Sequence, residues 1–103
     1  MQRGKILMVF LLFSAVFTMA QERLTSKNKV AVRLYEDARR HYGMGRANEA
    51  ADALYQAIDR DPKFIEAYLV LGDIYNNQKE YLKEMEILKK AIAIDSTFFP
   101  ATI

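Results

Sequence analysis

One histidine, a glycine-rich turn and two neighbouring acids are the residues of this 103-residue chain most able to do chemistry. A metal centre needs three or four convergent ligands, and a hydrolytic triad needs a nucleophile beside an oriented base. His41 is the sole histidine and there is no cysteine, so neither constellation can be assembled around it. On the apolar side of a predicted helix, His41 reads as a packed, hydrogen-bonded residue. Gly43-Met44-Gly45-Arg46 resembles a phosphate loop only superficially. It lacks the preceding strand and the lysine that let such a loop hold phosphate, and a turn between two helices is the simpler reading. Glu36 and Asp37 are adjacent, so on a helix they point in different directions and do not form a two-carboxylate site. Without cysteine, disulfides, zinc–thiolate sites and thiol nucleophiles are excluded. Met1, Met8 and Met19 all precede Gln21, and Tyr68, Leu71 and Tyr75 recur at helical spacing as core residues do. The expectation is a chain that is not an enzyme, with no cofactor, no metal and no small-molecule substrate.

The length allows one small domain at most. Residues 1–20 have the pattern of a secretory signal peptide: Arg3 and Lys5, then a run over 6–17 in which only Ser14 is polar, then Thr18-Met19-Ala20. A spanning helix needs about 20 apolar residues, which this run does not reach. A retained anchor and a buried helix are the alternatives. Cleavage after Ala20 would place Gln21 first, with no cysteine there to carry a lipid. Of the charged side chains, only Arg3 and Lys5 precede that point, so residues 21–103 balance at 13 basic and 13 acidic. Nucleic acid favours a clustered excess of Lys and Arg, so no nucleic-acid partner is expected. The mildly basic stretch over residues 23–40 is interrupted by Glu36 and Asp37 and reads as a solvated helix face. Export to the periplasm or the cell envelope is the predicted destination.

The elements follow from apolar spacing. Residues 21–30 are polar and are expected to be loose at first. Ser26 is the expected cap of a helix reaching Met44, with Val30, Leu34, Ala38 and His41 or Tyr42 along its buried side. Gly43-Met44-Gly45 breaks it. Residues 47–60 form a second helix, with Ala50, Leu54, Ala57 and Ile58 inward. Asp61-Pro62 stops it, since proline lacks an N–H and restricts the residue before it. Residues 64–77 form the third, burying Ala67, Tyr68, Leu71, Gly72 and Tyr75. Residues 81–94 form the fourth, burying Met85, Leu88, Ala91 and Ile92. Sustained strand alternation is absent, so the fold is all-α. Loops this short make neighbouring helices antiparallel.

These helices repeat. Ala57-Ile58-Asp59-Arg60-Asp61-Pro62-Lys63-Phe64 returns, at a constant offset of 34 in the numbering, as Ala91-Ile92-Ala93-Ile94-Asp95-Ser96-Thr97-Phe98. Leu54 pairs with Leu88, and Ala38 with Gly72, at the same offset. A helical glycine costs about 1 kcal/mol relative to alanine, so Gly72 predicts close helix packing. A period in this range marks a solenoid of small repeated units.

The second unit, residues 65–98, resembles a tetratricopeptide repeat. Tyr68, Leu71, Gly72 and Tyr75 match the family's first helix, and Tyr81, Leu88 and Ala91 match its second. The first unit, residues 31–64, supplies Leu34, Ala38, Gly45, Ala50, Leu54, Ala57 and Pro62. Departures are Glu84 where Ala50 is small, Ser96 for proline, Asp37-Ala38 for Leu-Gly, and His41 for Tyr75. The resemblance implies antiparallel helix pairs stacked as a short right-handed solenoid. Residues 99–103 align with the start of a third repeat. This register predicts either the N-terminal part of a longer protein or an open end that docks on a partner. Similar exported proteins place outer-membrane-associated, peptidoglycan-binding modules after such repeats.

The resemblance also implies a function, protein–protein interaction. In the family, the first helix of each pair lines a concave groove for an extended or helical peptide. Carried over by position, the groove residues are Val32, Tyr35, Arg39 and Tyr42 from the first unit, and Glu66, Leu69, Asp73 and Asn76 from the second. Tyr35 and Tyr42 share a face and offer apolar area with a polar tip. Arg39 lies between them and can meet a carboxylate. Ordinary exposed residues are the plain alternative. The expected partner is a protein or peptide in the cell envelope, bound as by a scaffold. The other reading is a spacer or dimerisation element that self-associates through its uncapped C-terminal face.

Overall fold

The computed structural model describes residues 24–96. The predicted signal peptide and the start of a third repeat lie outside the described residues. Among the described residues there are four helices: α1 (Lys29–Gly43), α2 (Ala47–Arg60), α3 (Ile65–Asn77) and α4 (Tyr81–Ile94). Helix α1 packs on α2, α3 on α4, and α2 on α3. Among the described residues there is no strand, and no helix is long and apolar enough to cross a membrane.

Helix α1 starts later than Ser26 would place it. Asn28 is the cap, its side-chain oxygen accepting from the Ala31 N–H at 3.0 Å, which meets one of the donors a helix N-terminus leaves unpaired. Ser26 is buried and its hydroxyl accepts from the Asn28 N–H at 3.2 Å instead. Gly43 belongs to the helix rather than breaking it. Met44 caps the end and Gly45 takes the left-handed backbone, at φ 79°. The Arg46 N–H then reaches the His41 carbonyl and the Gly45 N–H reaches that of Tyr42. This pair of bonds is a Schellman motif.

The same motif recurs at the equivalent place in the second helix pair. Glu80 N–H donates to the Tyr75 carbonyl and Lys79 N–H to that of Asn76. Lys79, the counterpart of Gly45, has φ 60°. At the other ends, Asp61 N–H donates to Ala57 and Asp95 N–H to Ala91. The backbone therefore repeats at the turns as well as in the helices.

The core is made where small and large residues alternate across the pairs. Leu54, Phe64, Leu71 and Ile74 are its largest fully enclosed side chains, with Ala31, Ala38, Ala50 and Ala57 between them. The Phe64 ring lies 5.0 Å from that of Tyr35, tilted by 47°. A Cβ added at Gly72 would come within 3.0 Å of the Leu88 Cδ2, so the absent side chain lets α3 and α4 approach.

Val30, Met85 and Ile92, expected inside, are exposed. Val30 is 47% accessible, because the buried stripe of α1 runs through Ala31, Tyr35 and Ala38, one position further round. Met85 and Ile92 are 53% and 46% accessible, because α4 buries Ile87 and Ala91 against α3 and turns these two outward. Their counterparts on α2, Ala51 and Ile58, are packed against the core, where α3 lies over α2.

Residues 24–28, expected to be loose, are tied down. Leu24 packs against the core. The Thr25 hydroxyl accepts from the Ile65 N–H at 3.2 Å and donates to Glu66 Oε2 at 3.1 Å, while the Thr25 N–H donates to the same oxygen at 2.8 Å. Phe64, at the cap position of α3, makes no side-chain capping bond. A threonine far upstream, before α1, thus supplies the cap that α3 lacks locally.

Candidate protein-binding cleft

Helices α1 and α3 are the first members of their pairs, and a cleft of about 430 Å³ runs between them. Its walls are Tyr35, Arg39, Tyr42 and Gly43 from α1, and Glu66, Leu69, Val70 and Asp73 from α3. The repeat register explains the pairing. Tyr35 and Leu69 are equivalent positions, as are Arg39 and Asp73.

The structure brings six of the eight predicted groove residues together on this cleft: Tyr35, Arg39, Tyr42, Glu66, Leu69 and Asp73. Val32 is instead partly buried against the core. Asn76 turns toward α4, its amide donating to Glu84 Oε1 at 3.2 Å. That bond also accounts for a glutamate where Ala50 stands in the first pair, since the half-buried side chain of Glu84 bends back to α3. Gly43 and Val70 line the cleft without having been singled out. Val70 follows Leu69 directly, and a widened window around each groove position would have found it. Gly43 was obscured by its reading as a helix breaker.

Tyr35 is more structural than expected. It is only 7% accessible, with its ring on Phe64 and its edge on the cleft. The Arg39 guanidinium lies 5.9 Å from the centre of that ring, a cation–π distance. Burial raises the Tyr35 phenol above its ordinary value, partly opposed by Arg39. Tyr42 bridges the two helices: its hydroxyl donates to Asp73 Oδ2 at 3.0 Å and accepts from the Asn77 amide. Burial, and then the bond to Asp73, raise its phenol too.

The acids and the cation differ in how they are satisfied. Glu66 is held by Thr25. Asp73 uses one oxygen for Tyr42. Arg39 has no carboxylate within ion-pair distance among the described residues, whereas Arg40 is paired with Asp37 and Arg46 lies 3.8 Å from Glu49.

His41 does not face this cleft. Its Nδ1 is buried without a hydrogen bond, 3.5 Å from Glu49 Oε2, which corrects the hydrogen-bonded expectation. Among the described residues no three His, Cys, Asp or Glu side chains lie close enough to hold a metal.

No curated protein matches the chain significantly. Residues 65–98 match the family model of the tetratricopeptide repeat. The match supports the tetratricopeptide repeat family for residues 65–98, and the first helix pair repeats that unit in constant register, with the same pair of bonds closing its turn.

Proposed function

We propose that the chain is a non-enzymatic protein–protein interaction module of the bacterial cell envelope, which buries a peptide or helix of its partner in the α1–α3 cleft. Tetratricopeptide repeats suggest interaction modules in general. The observation that carries the finer reading is the cleft itself, about 430 Å³ with apolar Leu69 and Val70 beside the polar tips of two tyrosines. Such a mixture suits a peptide, whose apolar side chains need cover and whose backbone needs hydrogen bonds. The signal-peptide pattern of residues 1–20 supports export. A photo-crosslinking amino acid at Gly43 tests the site, because a Cβ there meets nothing within 4 Å. Crosslinks in envelope fractions from position 43, and none from exposed Gln56 on α2, are expected. Equal yields from both positions would exclude the cleft.

A second reading is a spacer or dimerisation element of a larger outer-membrane or peptidoglycan-associated protein. It is favoured by the outer face of α4, where Tyr81, Leu82, Met85 and Ile92 are all exposed. Tyr81, Met85 and Ile92 fall at helical spacing on one stripe. Light scattering over a concentration series distinguishes the two. A concentration-dependent dimer abolished by Met85→Glu with Ile92→Glu supports the second reading, and a monomer throughout supports the first.

A further inference from the structure

The walls of the cleft carry opposite charges at equivalent places. Arg39 on α1 and Asp73 on α3 are one repeat period apart, so each occupies the same position in its helix pair. Both line the cleft. Yet they form no ion pair with each other, and no other ion pair among the described residues involves either one. Arg39 rests above the Tyr35 ring, and the Asp73 carboxylate has Oδ2 on Tyr42, leaving Oδ1 without a hydrogen bond among the described residues. Leu69 and Val70 line the same cleft.

The third charge of the cleft behaves differently. Glu66 accepts three contacts from Thr25 and is thereby committed to the chain's own fold. What the cleft offers a partner is therefore one cation on the α1 wall, one anion on the α3 wall, and apolar area from Leu69 and Val70. A partner bearing only acids would meet Arg39 but be repelled by Asp73, and a purely basic one would meet the reverse penalty. Like charges brought together at an interface disfavour the wrong partner, while complementary ones fix its register.

We infer that the cleft, if it is the binding site proposed above, selects a peptide segment carrying one acidic and one basic side chain on either side of an apolar residue. The acid faces Arg39, where the planar guanidinium can hold a carboxylate through two parallel hydrogen bonds. The base faces Asp73. The apolar residue covers Leu69 and Val70. The two opposed charges also set the direction in which the segment lies.

A random dodecamer display library is selected against the full chain, and against Arg39→Gln and Asp73→Asn variants. Asparagine still accepts the Tyr42 hydrogen bond, so the second variant removes charge without removing the bridge between α1 and α3. Circular dichroism checks that the helices persist. Selection on the unaltered chain is expected to enrich peptides that hold both charges around an apolar residue. Selection on Arg39→Gln should lose the acid alone, and selection on Asp73→Asn the base alone. In an enriched peptide, Glu→Gln should weaken binding to the unaltered chain by up to about fivefold, the upper end for exposed charge pairs, and leave binding to Arg39→Gln unchanged. Peptides that bind at the cleft with the same composition in all three selections would overturn the inference and leave the cleft reading standing. A library that yields no cleft-binding peptide would overturn both.

Discussion

Lys79 sits in a backbone conformation that its own side chain opposes. Its φ of 60° is the left-handed region, and its counterpart Gly45 occupies the same turn at φ 79°. For any residue with a Cβ this region costs roughly 1–2 kcal/mol, because Cβ crowds the following carbonyl. The turn holds nonetheless, through the bonds from Lys79 and Glu80 back to Asn76 and Tyr75. Lys79→Gly should stabilise the chain by about 1 kcal/mol in denaturant unfolding, with the slope unchanged, and Gly45→Lys should destabilise it by a similar amount. No effect from Lys79→Gly would mean that other contacts of the lysine offset its strain. Gly45 announces the turn in the sequence, while a lysine at the matching place carries no such signal. Gly72 is the opposite case. A glycine inside a helical pattern marks close packing, and Leu88 is the side chain that fills the space.

Among the elements, the segment before α1 ties the first helix pair to the second. Thr25 caps α3 from outside the repeat and holds Glu66 at the same time. It joins the two helix pairs at a point where the chain between them supplies no capping side chain. Loss of an N-cap costs about 1 kcal/mol. Thr25→Ala is expected to cost about that much and to speed hydrogen exchange at the first turn of α3, around Ile65 and Glu66, more than in α2. Uniform exchange across both helices would mean that the segment stabilises the fold without acting as a cap. Helix positions were legible in the sequence because apolar spacing is set by burial: α2 and α4 have the expected bounds, 47–60 and 81–94. The rotation of α1 was not legible. Val30 and Ala31 both fit an apolar stripe, and only the packing of Tyr35 on Phe64 decides between them. The capping role of Thr25 was not legible either, since it depends on two segments distant in the chain meeting in space.

At the scale of the whole molecule, the tyrosines connect packing to pH. Tyr35, Tyr42, Tyr55 and Tyr68 are each raised above the ordinary phenol value of 10.0, and in each the largest cause is burial. They lie across both helix pairs. Tyr55 and Tyr75 share a hydrogen bond at 2.5 Å between α2 and α3, and the Tyr68 hydroxyl donates to the Pro62 carbonyl at 2.7 Å. A phenol raised by folding keeps its proton longer in the native chain than in the unfolded one. Above pH 10 the unfolded chain therefore binds fewer protons than the native chain, and stability must fall as pH rises. Below that pH both states hold these protons and the tyrosines contribute no slope. Denaturant midpoints should thus be insensitive to tyrosine ionisation up to about pH 9 and drop beyond about pH 10. Tyrosinate absorbance measured in the native chain should lag behind that measured in denaturant. Tyr55→Phe should remove part of both effects, because it deletes one of the raised phenols. Native and unfolded tyrosinate curves that coincide would contradict the assignment, since equal ionisation in both states leaves no proton difference to drive unfolding.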